Sequence, residues 1–391
     1  MSEYPEASGD VDVEAVAPAE LAARLRAGDA VSVLDVRNRA EADEWPLSGE
    51  TITTYHVPYY RFVEASVNDS VDELAGEVRD ALDEPMLVVC GRGEASGFVA
   101  EQLVAEGVEA ANLAEGMRGW ARVYHAVDLE PVGDVTVRQY QRPSSGCLAY
   151  LVVSGGEALV VDPLRAFAER YVDDARELGA ELVAAVDTHV HADHVSGVRA
   201  LRDRVGVEVL LPAGATERGF DFDASLLDAG DTLSVGEATL DAVALPGHTT
   251  EQLGLRLDET LMGGDTVFLE SVARPDLEHG DAGAPEAARR LFDTLSSIDD
   301  DTLVAPAHFS TARPDDSGAY AARMGALRER LGALSLDREA FVEYVLDEMP
   351  PRPANYEEII AVNLGLDAVD DEESFELELG PNNCAATVDA D

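Results

Sequence analysis

The sequence predicts an α/β protein with two domains, each built from β-strands covered by α-helices. Three observations lead to this fold class. The chain has 391 residues, which exceeds one ordinary domain. Buried-strand patterns alternate with amphipathic helix patterns in two blocks, and the segment DLEPVGDVTV separates the blocks. We therefore expect an N-terminal domain at 12–127, a second domain at 134–365 and an acidic C-terminal tail at 366–391.

The first block has the pattern of a small parallel sheet covered by helices. The segment PAELAARLRAG, residues 18–28, predicts a helix that ends at Gly28. A buried strand, an amphipathic helix, a second buried strand and another helix follow at residues 30–36, 71–82, 86–90 and 96–107. Strands and helices that alternate in this way favour parallel pairing.

The second block mixes hairpins with crossover helices, which predicts a two-sheet core with helices outside. It opens with a hairpin at 147–162, a helix at 165–179 and a strand at 181–188. Further strands are predicted at 207–212, 238–243, 253–257 and 302–307, and further helices at 285–297 and 319–332. In the tail, SFELEL at 374–379 predicts an edge strand, and the rest predicts loop.

The charge of the chain is strongly negative. Seventy-eight acidic residues face 28 basic ones, which are all arginine, and the formal net charge is −50. This charge disfavours nucleic acid and anionic membranes as partners. Because the acidity runs along the whole chain, it favours adaptation to high salt, where the Debye length falls to about 3 Å. Three cysteines and the lack of an apolar run of about 18 residues favour a cytoplasmic protein.

Histidines concentrate in DTHVHADHVSG, residues 187–197, which holds three of the eight in the chain. The cluster directly follows a buried strand, and sites in such sheets lie at these strand ends. In an extended segment, residues two apart project to the same side. We therefore expect His189 and His191 to share one centre, with Asp193 and His194 directed toward a second. Imidazoles and a carboxylate crowded together suit a divalent metal ion.

Three further ligand-type residues follow other predicted strands: His248 in LPGHTTEQLG, Asp265 in LMGGDTVF and His308 in VAPAHFS. The two glycines before Asp265 allow close backbone approach. Five of the eight histidines thus occupy strand-end loops of one domain, which predicts a metal centre there. The remaining three are expected to be surface or packing residues, and they are His56, His125 and His279.

The combination T-H-x-H-x-D-H, P-G-H, G-D and A-H resembles the metallo-β-lactamase fold, an αββα sandwich, over residues 134–365. Within that superfamily, VARPDLEHG and MPPRPANYEEIIAVNLG resemble the persulfide dioxygenases. The resemblance implies one Fe(II) per chain on His191, His248 and Asp265, a 2-His-1-carboxylate set with positions left open for oxygen and a thiol-bound sulfur. It also implies that Arg274 binds the carboxylate of the substrate.

Under this reading the remaining members of the cluster orient the ligands and handle protons, with Asp193 as a catalytic group. These members are Asp193, His189, His194 and His308. The same residues also resemble the di-zinc site of glyoxalase II-type thioester hydrolases, in which all of them are ligands. One Fe(II) and two zinc ions therefore remain alternatives at this point. Cys147 is expected to be a small core residue near the metal pocket, and Cys384 has no predicted role.

Cys90 is the second candidate for chemistry. In MLVVCGRGEASGF it ends a buried strand and precedes a glycine-rich loop that opens a helix, so backbone N–H groups are aimed at its sulfur and favour the thiolate. Arg92 adds positive charge and is expected to attract the substrate. Residues 12–127 resemble a rhodanese domain through VLDVRNRAE, the Cys90 loop and NLAEGMRGW. In contrast to many rhodaneses, Ala95 replaces an arginine and Glu94 adds negative charge.

The sequence therefore favours a persulfide dioxygenase coupled to a rhodanese cysteine. Its expected substrates are a low-molecular-weight thiol persulfide and O2, and its products are sulfite and free thiol. The resemblance implies that Cys90 accepts sulfane sulfur as a persulfide. Two alternatives remain, a di-zinc thioester hydrolase and a non-enzymatic sulfur carrier or redox sensor that uses Cys90. A homo-oligomer is compatible with the sequence.

We predict that the protein loosens in dilute buffer, because 50 excess negative charges then repel one another without screening. The thermal unfolding midpoint, followed by circular dichroism, should rise from dilute buffer to molar KCl. An unchanged midpoint would contradict adaptation to high salt.

Overall fold

The computed structural model describes residues 11–47, 49–310, 312–347 and 349–386, and the chain divides there into two compact units. The first unit holds the described residues up to Tyr124 together with Arg142–Ser144. The second holds His125–Gln141 and the described residues from Ser145 onward. Within the described ranges, no helix has both the length and the apolar character that crossing a bilayer requires.

The first unit is a five-stranded parallel sheet covered by helices, as the sequence predicts. Its strands follow the order β1-β5-β4-β2-β3, and each neighbouring pair is parallel. The strands are β1 (Ala15–Val16), β2 (Val31–Asp35), β3 (Ile52–His56), β4 (Met86–Val89) and β5 (Ala110–Leu113). The helices are α1 (Pro18–Ala27), α2 (Arg39–Glu44), α3 (Tyr59–Val67), α4 (Val71–Ala81), α5 (Glu94–Ala105) and α6 (Gly116–Trp120).

Local sequence explains these elements. All four residues of β4 are buried, as expected of a central strand that helices cover on both faces. Pro18 begins α1, where its missing N–H costs nothing, and Gly28 ends it with a φ of 80°. The predicted helix end at Gly28 is therefore confirmed.

The second unit contains two sheets. The first sheet has the strand order β12-β11-β10-β9-β8-β7-β6, and the second has the order β13-β14-β15-β16-β17-β18. The first comprises β6 (His125–Asp128), β7 (Thr136–Arg142), β8 (Cys147–Ser154), β9 (Glu157–Val161), β10 (Glu181–Val186), β11 (Glu208–Pro212) and β12 (Ser225–Leu227). The second comprises β13 (Thr232–Val235), β14 (Ala238–Ala244), β15 (Leu253–Leu257), β16 (Thr260–Met262), β17 (Leu303–Ala305) and β18 (Ala322–Arg323).

The two sheets pack face to face with helices outside, as the αββα prediction requires. One apolar core joins side chains from both sheets, among them Val152 and Leu159 of the first and Leu240 and Leu255 of the second. The helices are α7 (Ala168–Glu177), α8 (Val198–Val205), α9 (Gly280–Ser297), α10 (Met324–Arg330), α11 (Arg338–Leu346), α12 (Tyr356–Asn363) and α13 (Asp371–Leu377). Burial of apolar area between these layers is the main stabilising contribution.

The C-terminal segment differs from the prediction. Residues 374–377 of SFELEL belong to α13 and not to an edge strand, and Asp370 caps the helix in a capping box with Glu373. Further along, Cys384 and Ala386 are buried within an apolar cluster of the second unit, and Ala385 pairs with Ala273. The described part of the predicted tail therefore belongs to the packed domain; residues 387–391 lie outside the described residues.

We predict that Phe375→Ala in α13 lowers the free energy of unfolding by about 3–5 kcal/mol, because the side chain is only 2% exposed and its removal leaves a cavity. Leu366→Ala is the matched control: Leu366 is 58% exposed, so its loss should cost about 0.5 kcal/mol or less. Denaturant unfolding in molar KCl measures both. Equal losses in the two variants would show that α13 does not pack as described.

Candidate metal centre

The histidine-rich loop leaves β10 and is held by buried polar contacts. The backbone N–H and the Oγ1 hydroxyl of Thr188 both donate to the carboxylate of Asp162, at 2.7 and 2.9 Å. The Nδ2 group of Asn363 donates to the carbonyls of His191 and His194, at 3.0 and 2.9 Å. Because these polar groups are buried and paired, the loop is fixed although it has no regular secondary structure.

Three ligand-type side chains converge at the strand ends: His189, His248 and Asp265. The Oδ2 atom of Asp265 lies 3.5 Å from Nε2 of His248 and 3.8 Å from Nε2 of His189. Nε2 of His189 and Oδ2 of Asp265 are buried and have no hydrogen-bond partner among the described residues. Leaving such atoms unpaired is costly, and a metal ion about 2.0–2.2 Å from each ligand would satisfy them. The three residues therefore fit a metal ion.

Neighbouring groups fix which atom of each ligand faces this point. The Nδ1–H of His248 donates to the carbonyl of Arg274 at 2.7 Å, and the Nδ1–H of His189 donates to Oγ1 of Thr188 at 3.0 Å. Both bonds leave the lone pair of Nε2 available to a metal. Gly264, just before Asp265, has a φ of 55°, and a Cβ atom there would lie 2.7 Å from Oγ1 of Thr188. The glycine is therefore required by close approach as well as by conformation.

The structure places His191 outside this group and His189 within it, whereas the sequence analysis expected His191 as the third ligand. Nε2 of His191 lies 3.1 Å from Oδ1 of Asp162 and 3.8 Å from Oδ1 of Asp187. Burial opposes the charged imidazolium, but the carboxylate of Asp162 outweighs it and raises the pKa of His191 to about 9. The expectation assumed an extended segment, whereas the loop has no regular secondary structure. The two imidazole rings lie 4.2 Å apart between centroids, but their Nε2 atoms face different carboxylates, Asp265 for His189 and Asp162 for His191.

The other ligand-type residues form a second cluster around Asp193. Its Oδ2 atom accepts hydrogen bonds from Nε2 of His308 (2.8 Å), Nδ1 of His194 (3.1 Å) and Sγ of Cys147 (3.2 Å). Nδ1 of His308 lies 2.6 Å from Oδ1 of Asp265, so this imidazole bridges two carboxylates. Burial again opposes the charge, yet Asp265 and Asp193 raise the pKa of His308 well above its ordinary value. We therefore describe His308 as an imidazolium.

Cys384, for which the sequence predicts no role, lies beside this cluster. Its sulfur is within 4.8 Å of ligand atoms of Asp265 and His308, and burial raises the pKa of the thiol well above its ordinary value. The thiol is therefore neutral. Its segment is weakly patterned and lies more than 70 residues beyond His308, so it carries no sequence signal for this position.

Arg274 is engaged by the protein itself. The residue is 2% exposed, and its Nε and Nη2 groups donate to Asp276 at 2.7 and 3.1 Å. Its Nη1 group donates to the carbonyls of Pro351 and Asn383, at 2.9 and 3.0 Å. The expected role in binding a substrate carboxylate therefore needs correction, because these partners leave little capacity for one. Through these bonds the side chain of Arg274 holds the C-terminal segment, while its own backbone carbonyl orients His248.

Cys90 occupies a comparable strand-end position in the first unit. It directly follows β4 and is 5% exposed, and its Sγ atom accepts hydrogen bonds from the backbone N–H of Gly93 (3.0 Å) and from Oγ of Ser96 (3.1 Å). The predicted backbone donor is present, and Ser96 is an additional donor that the sequence analysis missed. Arg92 is exposed on the same loop.

Two packed sheets, helices on both outer faces and a histidine–aspartate cluster at the strand ends define a metallo-β-lactamase fold. The metallo-beta-lactamase superfamily model matches residues 143–308, and the rhodanese-like domain model matches residues 17–123. The chain belongs to the metallo-beta-lactamase superfamily and carries a rhodanese-like domain ahead of the matching region. Both resemblances drawn from the sequence are confirmed.

Two groups of curated relatives are similar to this chain. The persulfide dioxygenases ETHE1 of mouse and human are 27% and 28% identical over 237 residues, which span 59% of this chain and 88% of each relative. The hydroxyacylglutathione hydrolase of Acidiphilium cryptum is 31% identical over 194 residues, which span 47% of this chain and 76% of the relative. The chain therefore resembles both a dioxygenase and a hydrolase.

Solved structures support the same fold. The crystal structure of ETHE1 from Myxococcus xanthus has a TM-score of 0.51 and 25% identity, and the match covers 59% of this chain and 98% of that one. A metallo-beta-lactamase from Staphylococcus aureus also has a TM-score of 0.51, at 21% identity over 60% of this chain and 74% of that one. The second likeness concerns the fold alone.

We predict that His189→Ala lowers metal affinity far more than His191→Ala, because His189 lies in the group with His248 and Asp265 and His191 does not. Loss of an outer residue such as His191 should cost about 10–100-fold, and loss of the direct ligand should cost more. A chelator competition titration of the two purified variants with Zn(II) or Fe(II) gives both affinities. Greater loss in His191→Ala would restore the assignment based on the sequence.

Proposed function

We propose that this protein is a persulfide dioxygenase that oxidises a low-molecular-weight thiol persulfide with O2 at a mononuclear Fe(II) site. The reaction is R–S–SH + O2 + H2O → R–SH + sulfite + 2 H⁺. The ligands would be His189, His248 and Asp265, a 2-His-1-carboxylate set typical of non-heme Fe(II) oxygenases. The observation that carries the proposal is this compact group with its two unpaired buried atoms.

His308 lies between the two groups of ligand-type side chains. Its Nδ1 lies 2.6 Å from Oδ1 of Asp265 and its Nε2 lies 2.8 Å from Oδ2 of Asp193. In a di-zinc site this imidazole would supply a lone pair to the second ion, and the buried unpaired atoms Oδ1 of Asp193 and Nε2 of His194 would be available to that ion. The residues around Asp193 therefore define the second candidate function.

The relatives add weight to the dioxygenase reading. The match to persulfide dioxygenases extends over 59% of this chain, against 47% for the A. cryptum hydrolase. The hydrolase nevertheless has the higher identity. A di-zinc thioester hydrolase is therefore the second candidate, favoured by Asp193, His194 and His308 around one point.

When bound, Fe(II) would supply the one-electron chemistry that O2 requires and open positions for O2 and the terminal sulfur. The residues of this chain orient and protect that centre. The carbonyl of Arg274 and the hydroxyl of Thr188 hold the imidazoles of His248 and His189, while His308 holds the Asp265 carboxylate. His308 also keeps a proton on Nε2, shared with Asp193, which is available for protonation of a departing thiolate.

We further propose that Cys90 carries sulfane sulfur in the first unit. Its thiolate would attack the terminal sulfur of R–S–SH; an S–S bond forms at Cys90, the R–S–S bond breaks, and R–S⁻ leaves. The Gly93 amide and the Ser96 hydroxyl stabilise the thiolate through their hydrogen bonds to Sγ. The exposed guanidinium of Arg92 would attract an anionic donor to the loop.

The proposed metal and reaction can be tested together. Protein reconstituted anaerobically with Fe(II) at molar salt should bind one iron per chain and consume one O2 for each sulfite formed from a thiol persulfide. Metal analysis, an oxygen electrode and sulfite determination measure these quantities. Two zinc ions per chain with hydrolysis of a glutathione thioester, and no O2 uptake, would establish the hydrolase instead.

A further prediction separates the proposed activities of the two units. Cys90→Ser should abolish transfer of sulfane sulfur to cyanide and leave O2 uptake with a thiol persulfide unchanged, because Cys90 contributes only to the first activity. Ser96→Ala should retain part of the transfer, since the Gly93 donor remains. Loss of O2 uptake in Cys90→Ser would contradict independent roles.

A further inference from the structure

A cavity of about 550 Å³ lies in the second unit, away from the histidine clusters. One wall is the face of α8 that carries Arg199, Asp203 and Arg204. The opposite side is formed by Arg165, in the short 3-10 turn after β9, and by the beginning of α13 around Asp371. The cavity contains none of the residues assigned to the metal centre or to Cys90.

The charge of the cavity is opposite to that of the chain. Three guanidinium groups line it against two carboxylates, although acidic residues outnumber basic ones 78 to 28 in the whole sequence. Both carboxylates are engaged by arginines: Asp371 accepts from Arg165 at 3.0 and 2.8 Å, and Asp203 lies 3.4 Å from Arg202 outside the cavity. Their side chains are also 92% and 73% exposed, so solvent screens them.

Arg199 differs from Arg165 and Arg204, the other arginines of the cavity, because each of those forms an ion pair with a carboxylate. Its guanidinium donates to the carbonyl of Val362 and lies 5.1 Å from the centre of the Phe222 ring, and no carboxylate of the described residues is within ion-pair distance. Burial and the neighbouring charge of Arg165 lower the pKa of Arg199, and the carboxylates of Asp187 and Asp203 offset part of this effect. An anion between the two guanidinium groups would relieve this repulsion.

We propose that this cavity is an anion-binding site for a tetrahedral oxyanion, with Arg199 and Arg165 as its principal ligands. Guanidinium groups present parallel N–H donors that match phosphate and similar oxyanions in bidentate geometry. The ligand is either a free inorganic oxyanion or the phosphate group of a larger metabolite, for which the volume leaves room. This site is independent of the proposed dioxygenase activity.

The site is joined to the histidine-rich loop through Ser196, which also lines the cavity. Its hydroxyl donates to Asp187 at 2.8 Å, and its backbone N–H donates to Oδ1 of Asn363, the residue that holds the carbonyls of the loop. The backbone N–H of Arg165 donates to the carbonyl of Val195 at 2.9 Å. Anion binding would therefore stabilise the segment directly after the metal-binding loop.

Isothermal titration calorimetry of the full chain in molar KCl tests the proposal with sulfate, inorganic phosphate and ADP as probes. We expect saturable binding of at least one probe, weakened about tenfold or more in Arg199→Gln, since a charge-assisted hydrogen bond is lost. Binding of sulfate and phosphate supports a free oxyanion, and binding of ADP alone supports a phosphate ester.

Arg176→Gln is the matched control, because Arg176 lies on α7, its side chain is 67% exposed and it is outside the cavity. It should bind the probe like the unmodified protein. Arg165→Gln gives a second test that does not disturb the packing of Arg199 on Phe222, and it should weaken binding similarly. Absence of binding by all three probes, or equal affinity in Arg199→Gln, Arg165→Gln and Arg176→Gln, would overturn the proposal.

Discussion

The hydrogen-bonded chain Asp193–His308–Asp265 is the interaction on which the metal centre depends. All three side chains are at most 6% exposed, so two carboxylates lie close together in the protein interior. Buried charges of like sign are tolerated only when opposite charge neutralises them. The imidazolium of His308 supplies that charge between them, and it leaves Oδ2 of Asp265 directed toward His189 and His248. The ligand group exists because this bridge holds its carboxylate.

The ligand residues next to this bridge are held in place by parts of the chain that are distant in sequence. Asp162 at the end of β9 and Asn363 at the end of α12 hold the loop that carries His189. The side chain of Arg274 donates to the carbonyl of Asn383, and the backbone carbonyl of the same residue accepts from His248. The C-terminal segment is therefore part of the architecture of the site, since it supplies partners that no local sequence provides.

Acidic side chains at the surface and in the interior differ in how far they are paired with opposite charge. The buried carboxylates of the centre are paired or directed at a metal position, whereas 28 arginines cannot neutralise 78 acidic side chains. Exposed ion pairs contribute only about 0–1 kcal/mol each, so pairing does not offset most of this negative charge. Against this background, a cavity in which arginines outnumber carboxylates requires a separate explanation.

The sequence alone determined both fold classes, the strand-end positions of His248, Asp265 and His308, and the cysteine at the end of β4, because alternation patterns and motif spacing are local properties. Only the tertiary structure placed His189, and not His191, beside His248 and Asp265, since the contacts of each imidazole are set by groups distant in the chain, such as Asp162 beside His191. It likewise decided that Arg274 is engaged by Asp276 and by C-terminal carbonyls, and that the final segment packs into the domain. These outcomes depend on contacts between residues far apart in the chain, which no local pattern encodes.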